Sequence, residues 1–295
     1  MARTRTDARL LRREMPGAVG LLADAADFAA MRRYASFLFD DHAAYLRQVE
    51  GVLRARATQG AYTTVALFDP PGFARFCAER GLEPDTPASR CRYVAESAAR
   101  GPAVPYGGQP MDRLVPQLLD AAARSRSRER AATLLAAAGR CEDCGEHRAD
   151  AALARAGLLV DRLTEALGPG AQHVVTTVRS AGFPLVAVAR SVDPPGPPGP
   201  PRLRPPDGEA LRLVLAAGIA TSGTGGVVAR TTGADGRERV RGWRLRDGWL
   251  APLTEKEVYA AYCTNARTGA PLPPEPDVTY SAGTPLPRPE KGCHR

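Results

Sequence analysis

Only two of the chain's 40 cations are lysines (Lys256 and Lys291), Ile219 is its one isoleucine, and aromatic residues fill 6% of 295 positions. Scarce lysine and isoleucine beside abundant alanine, 29 glycines and 27 prolines mark GC-rich codons. The arginine excess behind the net charge of +8 therefore reports base composition before it reports a nucleic-acid partner. No apolar run approaches the roughly 18 residues of a membrane-spanning helix, so no membrane partner is expected. Six cysteines scattered over this length do not make a disulfide framework. Absent too are a Walker A loop, a Gly-x-Ser-x-Gly elbow, a His-Glu-x-x-His pair and the deaminase pairing of His-x-Glu with Pro-Cys-x-x-Cys. Four histidines (42, 147, 173 and 294) leave little room for histidine-based catalysis.

What is present is the composition of a folded chain. Hydrophobic residues at 44% and charged residues at 24% exclude wholesale disorder, and 295 residues suffice for one large core or two modest ones. The apolar stretch Gly17–Ala23 is followed by Asp24 and Asp27, which an export signal would not carry. A cytoplasmic location with reduced thiols is expected, and residues 1–30 are expected to be a flexible extension ahead of Met31-Arg32-Arg33.

Periodicity then predicts the elements. Tyr34–Phe39 reads as a strand ending at Asp40-Asp41, followed by a helix over 43–56 with Tyr45, Leu46, Val49, Val52 and Leu53 on one face. Tyr62–Phe68 reads as a buried strand, and Phe73, Phe76 and Cys77 mark a short helix closed by Gly81. Strand, helix, strand, helix with short links predicts a parallel βαβ module. Residues 111–138 and 153–167 predict two long helices forming an antiparallel hairpin, with Cys141-Glu-Asp-Cys144 between them. Residues 31–169 form the first domain on this reading.

Beyond Gly168-Pro169-Gly170 the pattern becomes strand-rich. Val174–Val178 and Leu185–Ala189 predict a β-hairpin; eight prolines between 194 and 206 predict an extended loop; Glu209–Ala220 predicts a helix. Strands follow at 227–232, 240–246 and 249–253, with a turn at Asp247-Gly248 and a capping box Thr254–Glu257 opening a last helix. Residues 170–269 form an α+β domain on this reading, and 270–295 a frayed Pro-rich tail. The expected class is α/β to α+β: a parallel βαβ module with a long helical hairpin, then a smaller antiparallel sheet with one or two helices.

Three groups carry possible chemistry. Cys141 and Cys144, with Gly145 to turn the backbone and His147 close behind, have the spacing of half a structural Zn²⁺ site; Cys77, Cys91, Cys263, His173 or Cys293 would complete it. The same pair also fits a redox dithiol or two ordinary cysteines in an interhelical turn, and Glu142, Asp143 and Glu146 disfavour the bare thiolates a redox pair needs. Asp40, Asp41 and Asp69, beside His42, would sit at the carboxyl ends of parallel strands, where carboxylates can hold Mg²⁺ for phosphoryl chemistry. Against that, Asp41 and Asp69 occupy helix N-cap positions, with Pro70 at the favoured first helical position. Arg124, Arg126, Arg128 and Arg130 form the densest basic run, able to meet phosphates or simply to solvate a helix face. Thr221–Gly226 has a phosphate loop's composition but stands between a helix and a strand, and reads as a helix stop.

The strings Phe39–Leu46, Thr63–Pro70, Val104–Pro110, Cys141–Gly145, Gly242–Leu245 and Tyr262–Thr264 resemble a group of uncharacterised hypothetical proteins of high-GC actinomycete bacteria. The resemblance spans about residues 31–285 and implies a bacterial cytoplasm, without assigning a role to any residue. With no complete catalytic constellation, the expected function is a cytoplasmic, non-enzymatic binding or regulatory protein with zinc at Cys141/Cys144. The alternatives are a metal-dependent phosphohydrolase or nuclease using Asp40, Asp41 and Asp69, and nucleic-acid association through Arg124–Arg130.

Overall fold

A computed structural model describes residues 17–180, 182–192, 202–233, 235–265 and 268–288. The chain divides into two compact units between Ser125 and Arg126. It is a mixed α/β protein, and among the described residues no helix is long and apolar enough to cross a membrane.

The first unit contains β1 (Gly17–Leu21), α1 (Ala25–Met31), α2 (His42–Thr58), β2 (Thr63–Leu67), α3 (Pro70–Arg80), α4 (Pro87–Arg100), β3 (Ala103–Pro105) and the start of α5 (Met111–Ala136). Its sheet has the order β1-β2-β3, with β1 parallel and β3 antiparallel to β2. Local chemistry sets the ends of these elements. Asp24 caps α1 by accepting from the Ala26 and Asp27 N–H groups at 2.8 Å each. Pro70 opens α3, and Gly81 closes it in the left-handed region at φ 59°. Leu21, Met31, Leu53, Val65, Phe73, Leu114 and Leu118 form the core, each almost fully buried.

A parallel strand–helix–strand unit is thus present, but its first strand is not the expected one. Tyr34–Phe39 is irregular, and the strand beside β2 is Gly17–Leu21, within the segment expected to be a flexible extension. The physical reason lies fifty residues away. The Asp85 carboxylate accepts from the Ala35 and Ser36 N–H groups, both at 2.8 Å, and so takes the donors a strand ladder would use. Turn bonds from Tyr34 N–H to Met31 C=O and from Phe37 N–H to Tyr34 C=O complete the departure.

The second unit contains the rest of α5, α6 (Arg148–Leu167), β4 (Ala171–Ser180), β5 (Phe183–Val192), β6 (Arg202–Leu203), α7 (Pro205–Ala220), β7 (Thr224–Thr232), β8 (Glu238–Arg246), β9 (Trp249–Pro252), α8 (Glu255–Tyr262) and β10 (Val278–Ser281). The sheet order is β10-β8-β7-β4-β5-β6, with β9 also paired to β8. Alternate residues of β4, β5, β7 and β8 (Val174 and Val178; Leu185 and Ala187; Val227; Trp243) face α6 and α7, which supply Leu159, Leu163, Leu211 and Leu215. The Thr254–Glu257 capping box makes both of its bonds, and Asp247 and Gly248 turn the chain at φ 51° and 66°.

Three further expectations change. The helices flanking Cys141–Cys144 exist, but the main helical partner of α6 is α7 rather than α5. Residues after 270 are not a frayed tail as far as Arg288: β10 pairs parallel with β8, making the sheet mixed, and Trp243 and Trp249 donate their indole N–H groups to the Thr284 and Leu286 carbonyls. Most of the Pro-rich stretch lies outside the described residues, while Pro205 and Pro206 form the first turn of α7. The Gly168–Gly170 turn falls inside the second unit.

Candidate functional site

Among the described residues β1 has β2 on one side only, and its other edge has no strand partner. Leu21 C=O accepts from Phe68 N–H, so by alternation the backbone groups of Ala18, Gly20 and Leu22 point away from β2. Tyr45 of α2 satisfies part of this edge. Its hydroxyl accepts from Leu22 N–H at 3.2 Å and donates to Gly20 C=O at 3.4 Å, while the His42 Nε2 lies 2.9 Å from Leu22 C=O. Burial pushes the Tyr45 phenol above its ordinary pKa, so it remains a neutral donor and acceptor.

Beside the remaining edge lies a cavity of about 330 Å³. Phe37 and Phe39 from the irregular loop, Tyr45 and Phe68 supply its aromatic walls, with Arg90 and Cys91 of α4 as its polar side. The rings support one another: centroids stand 5.2 Å apart for Phe37–Phe39 and 5.1 Å for Phe39–Tyr45, and Phe28 stands 5.5 Å from Phe37. Gly20 permits close packing, since a Cβ there would lie 2.6 Å from Val94 Cγ2.

Arg90 positions the loop and faces the cavity. Its Nη1 donates to Ser36 Oγ at 2.8 Å and its Nη2 to Ser36 C=O at 3.2 Å. Asp85 acts on the other side of Ser36, its carboxyl held below the ordinary value first by hydrogen bonding from Ser36, with the Ala35 amide and the Arg90 charge adding to it. Arg90 makes no ion pair within 4.0 Å among the described residues, and a guanidinium has five N–H donors. An apolar cavity with one half-buried guanidinium and backbone N–H groups at its wall can hold an apolar body with an acceptor or anionic head.

All of these residues fall within one recognised region. Residues 6–109 match a domain of unknown function, DUF8829. No curated protein and no solved structure gives a significant match. The DUF8829 region thus contains the whole pocket and excludes the Cys141–Cys144 loop.

The sequence-predicted sites fall elsewhere. Asp41 caps α2 by accepting from Ala44 N–H at 2.7 Å, and Asp40 is exposed. Neither ends a strand. Asp69 does follow β2, but its side chain makes no cap bond and stands 4.0 Å from Arg75. The carboxylate that follows β1 in the DUF8829 region is Asp24, and the neighbouring Asp27 has its pKa raised by burial, then by Asp24 and, more weakly, Asp69. Among the described residues no group of three or more His, Cys, Asp or Glu side chains is placed to hold a metal ion. The three predicted aspartates are therefore not gathered into one set, nor is His147 gathered with Cys141 and Cys144.

Cys141 to Gly145 forms a tight reversal between α5 and α6. Gly145 N–H donates to Cys141 C=O at 2.9 Å, Cys141 N–H donates to Glu146 C=O at 2.8 Å, and Arg140 pairs with His147 as an antiparallel bridge. Gly145 takes φ 74°, the left-handed conformation its position required. Of the other thiols and imidazoles proposed as ligands, Cys77 and Cys263 are buried, Cys91 is exposed, His173 is half-buried on β4, and Cys293 lies outside the described residues. Burial, then Arg190 and Arg230, lower the His173 pKa and favour its neutral form. Arg124, Arg126, Arg128 and Arg130 are all exposed on α5. The Arg130 guanidinium stands 5.3 Å from the Phe183 ring centroid, and Arg128 borders a cavity with Leu153 and Arg212.

A second cavity, about 540 Å³, lies over β4, β7 and β8 with Val175, Val228 and Tyr262 in its lining. Its lining cations are Arg244, paired with Glu257, and the exposed Arg179.

Sequence reasoning missed Arg90, Ser36 and Asp85. Two signals were readable. Thr86-Pro87 is a cap followed by a first-turn proline, which places Arg90 early in a helix, and Phe37 and Phe39 are aromatic in a chain poor in aromatics.

Proposed function

We propose that this chain is a binding protein whose DUF8829 region takes a small ligand with an apolar body and an anionic head. Four aromatic side chains around a cavity that also presents the Arg90 guanidinium carry this reading. The apolar body would pack on Phe37, Phe39, Tyr45 and Phe68, and the head would meet Arg90 and the outward-facing Gly20 N–H. The reading keeps the expectation of a non-enzymatic binding or regulatory role. It also accounts for a loop that donates two hydrogen bonds to Asp85 and accepts two from Arg90, because a binding wall must be ordered before its ligand arrives.

Calorimetric titration with 4-phenylbutyrate and its uncharged amide at pH 7 tests it. The carboxylate should bind roughly tenfold tighter than the amide, the difference expected for a hydrogen bond to a charged group. In Arg90→Met the preference for the carboxylate should disappear, and both compounds should bind more weakly than the amide binds the unmodified chain, because Ser36 loses two of its ties as well as the ligand its cation. Absence of saturable binding by either compound to the unmodified chain contradicts the proposal.

A further inference from the structure

We propose that the groove on the sheet of the second unit binds a small phosphate monoester, its phosphoryl group between Arg179 and Arg244 and its apolar body on Val175 and Val228. The inference is independent of the aromatic pocket: it concerns the other unit and another class of ligand.

Strand alternation defines the face. Val174 and Val178 of β4, Val227 of β7 and Trp243 of β8 lie in the core with α6 and α7. The alternate residues, including Val175, Thr177 and Arg179 of β4, Val228 of β7 and Arg244 of β8, therefore occupy the opposite face. They line the cavity of about 540 Å³, a volume within the range of small-molecule sites. α8 stands over one side of it: a Cβ built on Gly242 would lie 3.1 Å from Val258 Cγ2, and Ala261 and Tyr262 supply the wall. The Tyr262 ring is held through its hydroxyl, which accepts from Arg230 at 2.9 Å and donates to Glu275 at 3.1 Å.

The register grades this groove from apolar to cationic. Val175 pairs with Val228; one same-face step along, Thr177 pairs with Gly226 and Gly226 with Arg244; at the next, Arg179 pairs with Thr224. With strands about 4.8 Å apart, Thr177 and Arg244 flank Gly226 at a separation of roughly 10 Å, and Arg179 lies about 7 Å beyond Thr177 along β4. Their long arms let both guanidinium groups meet over Gly226. Gly226 keeps that spot free of side chains, since a Cβ there would run into the Trp243 carbonyl.

Charge places the anionic head at this end. Arg179 is exposed and makes no ion pair among the described residues. Arg244 pairs with Glu257, whose other carboxylate oxygen accepts from the Thr254 N–H and hydroxyl at 2.9 Å each. That pairing orients Arg244 and leaves most of its five N–H donors for a ligand. Arg179 and Arg244 against Glu257 leave a net positive charge here, whereas at the opposite end Arg230 is taken by Glu238 and Glu275. The exposed hydroxyls of Thr177 and Thr224 add two donors. Four donor groups suit the three terminal oxygens of a phosphoryl dianion better than a carboxylate.

Residue-resolved NMR titration of the labelled full chain with phenyl phosphate tests this at pH 8, where a monoester with a second pKa of about 6 is a dianion. Saturable shifts are expected at the Thr177, Thr224 and Gly226 amides and the Arg179 and Arg244 side chains. Benzoate should bind at these residues roughly tenfold more weakly or worse. Because the signals are assigned, any occupancy of the pocket around Arg90 is read separately. Arg179→Gln should weaken phenyl phosphate here by roughly tenfold or more, through lost charged hydrogen bonds, with melting unchanged because Arg179 is exposed. Arg190→Gln removes a charge from the adjacent strand outside the cavity lining and should leave the affinity unchanged. Absence of saturable shifts at the named residues overturns the proposal. An equal loss in Arg190→Gln overturns it too, since attraction would then come from surface charge in general. So does tighter binding of a single-stranded oligonucleotide than of phenyl phosphate at this face, which would make it an extended nucleic-acid surface.

Discussion

Trp243→Ala is expected to destabilise the second unit by roughly 3–5 kcal/mol, the range for truncating a buried Trp or Phe to Ala. Trp243 is completely buried, and its ring lies in the core formed by α6, α7 and the sheet. Its indole N–H also holds Thr284 C=O at 2.8 Å, fixing the segment after β10. Gly283 is part of the same contact, since a Cβ there would lie 3.1 Å from the indole nitrogen and 2.3 Å from Gly242 C=O. Denaturant melts should show the loss as a lower midpoint. Trp243→Phe separates the two contributions: it keeps most of the ring's packing and loses the tie to Thr284. That variant should stay folded but become cleavable between Ser281 and Arg288 under limited proteolysis. A Trp243→Ala midpoint within error of the unmodified chain would contradict the assigned core.

Asp85→Ala is expected to abolish measurable binding of 4-phenylbutyrate at pH 7 while leaving the core of the first unit folded. The carboxylate touches no ligand. It holds the Ala35 and Ser36 N–H groups, and without it Phe37 and Phe39 lose the anchor that presents them. The same bonds give a pH dependence whose sign is fixed. The folded carboxyl is held below its ordinary value, so its contribution is fully present above the unfolded pKa of about 3.9 and is lost as pH falls through the lower folded value. Protection of the Ala35 and Ser36 amides, measured against their intrinsic exchange at each pH, should therefore be high at neutral pH and fall only below the ordinary carboxylate range. Asp85→Asn should show low protection at both ends of the range. Unchanged exchange in that variant would remove Asp85 as the anchor.

Much of the second unit was legible because its determinants are local. Alternating apolar residues marked β4 and β5, Asp247-Gly248 marked the turn into β9, and Thr254–Glu257 marked the start of α8. In the first unit the same rules found α2, β2 and α3. They failed where a distant partner decides. Tyr34–Phe39 has a strand's composition, yet its amides belong to Asp85 and its rings to a cavity wall, and nothing within the hexapeptide reveals either. β1 was obscured for another reason. In sequence Asp24 and Asp27 read as acids incompatible with an export signal, whereas in the fold Asp24 is the cap of the next helix. β10 was hidden by the prolines around it, although Val278-Thr279-Tyr280 is a good strand former. The candidate pocket was the least legible part, since its lining comes from six separate stretches that only the fold assembles.

The most direct measurement is a heteronuclear NMR titration of the isotopically labelled full chain with 4-phenylbutyrate. The account predicts saturable shifts confined to the Gly20 amide, the Phe37, Phe39, Tyr45 and Phe68 rings and the Arg90 side chain. Shifts that saturate at the sheet cavity around Val175 and Val228 instead, or none at any residue, would contradict it.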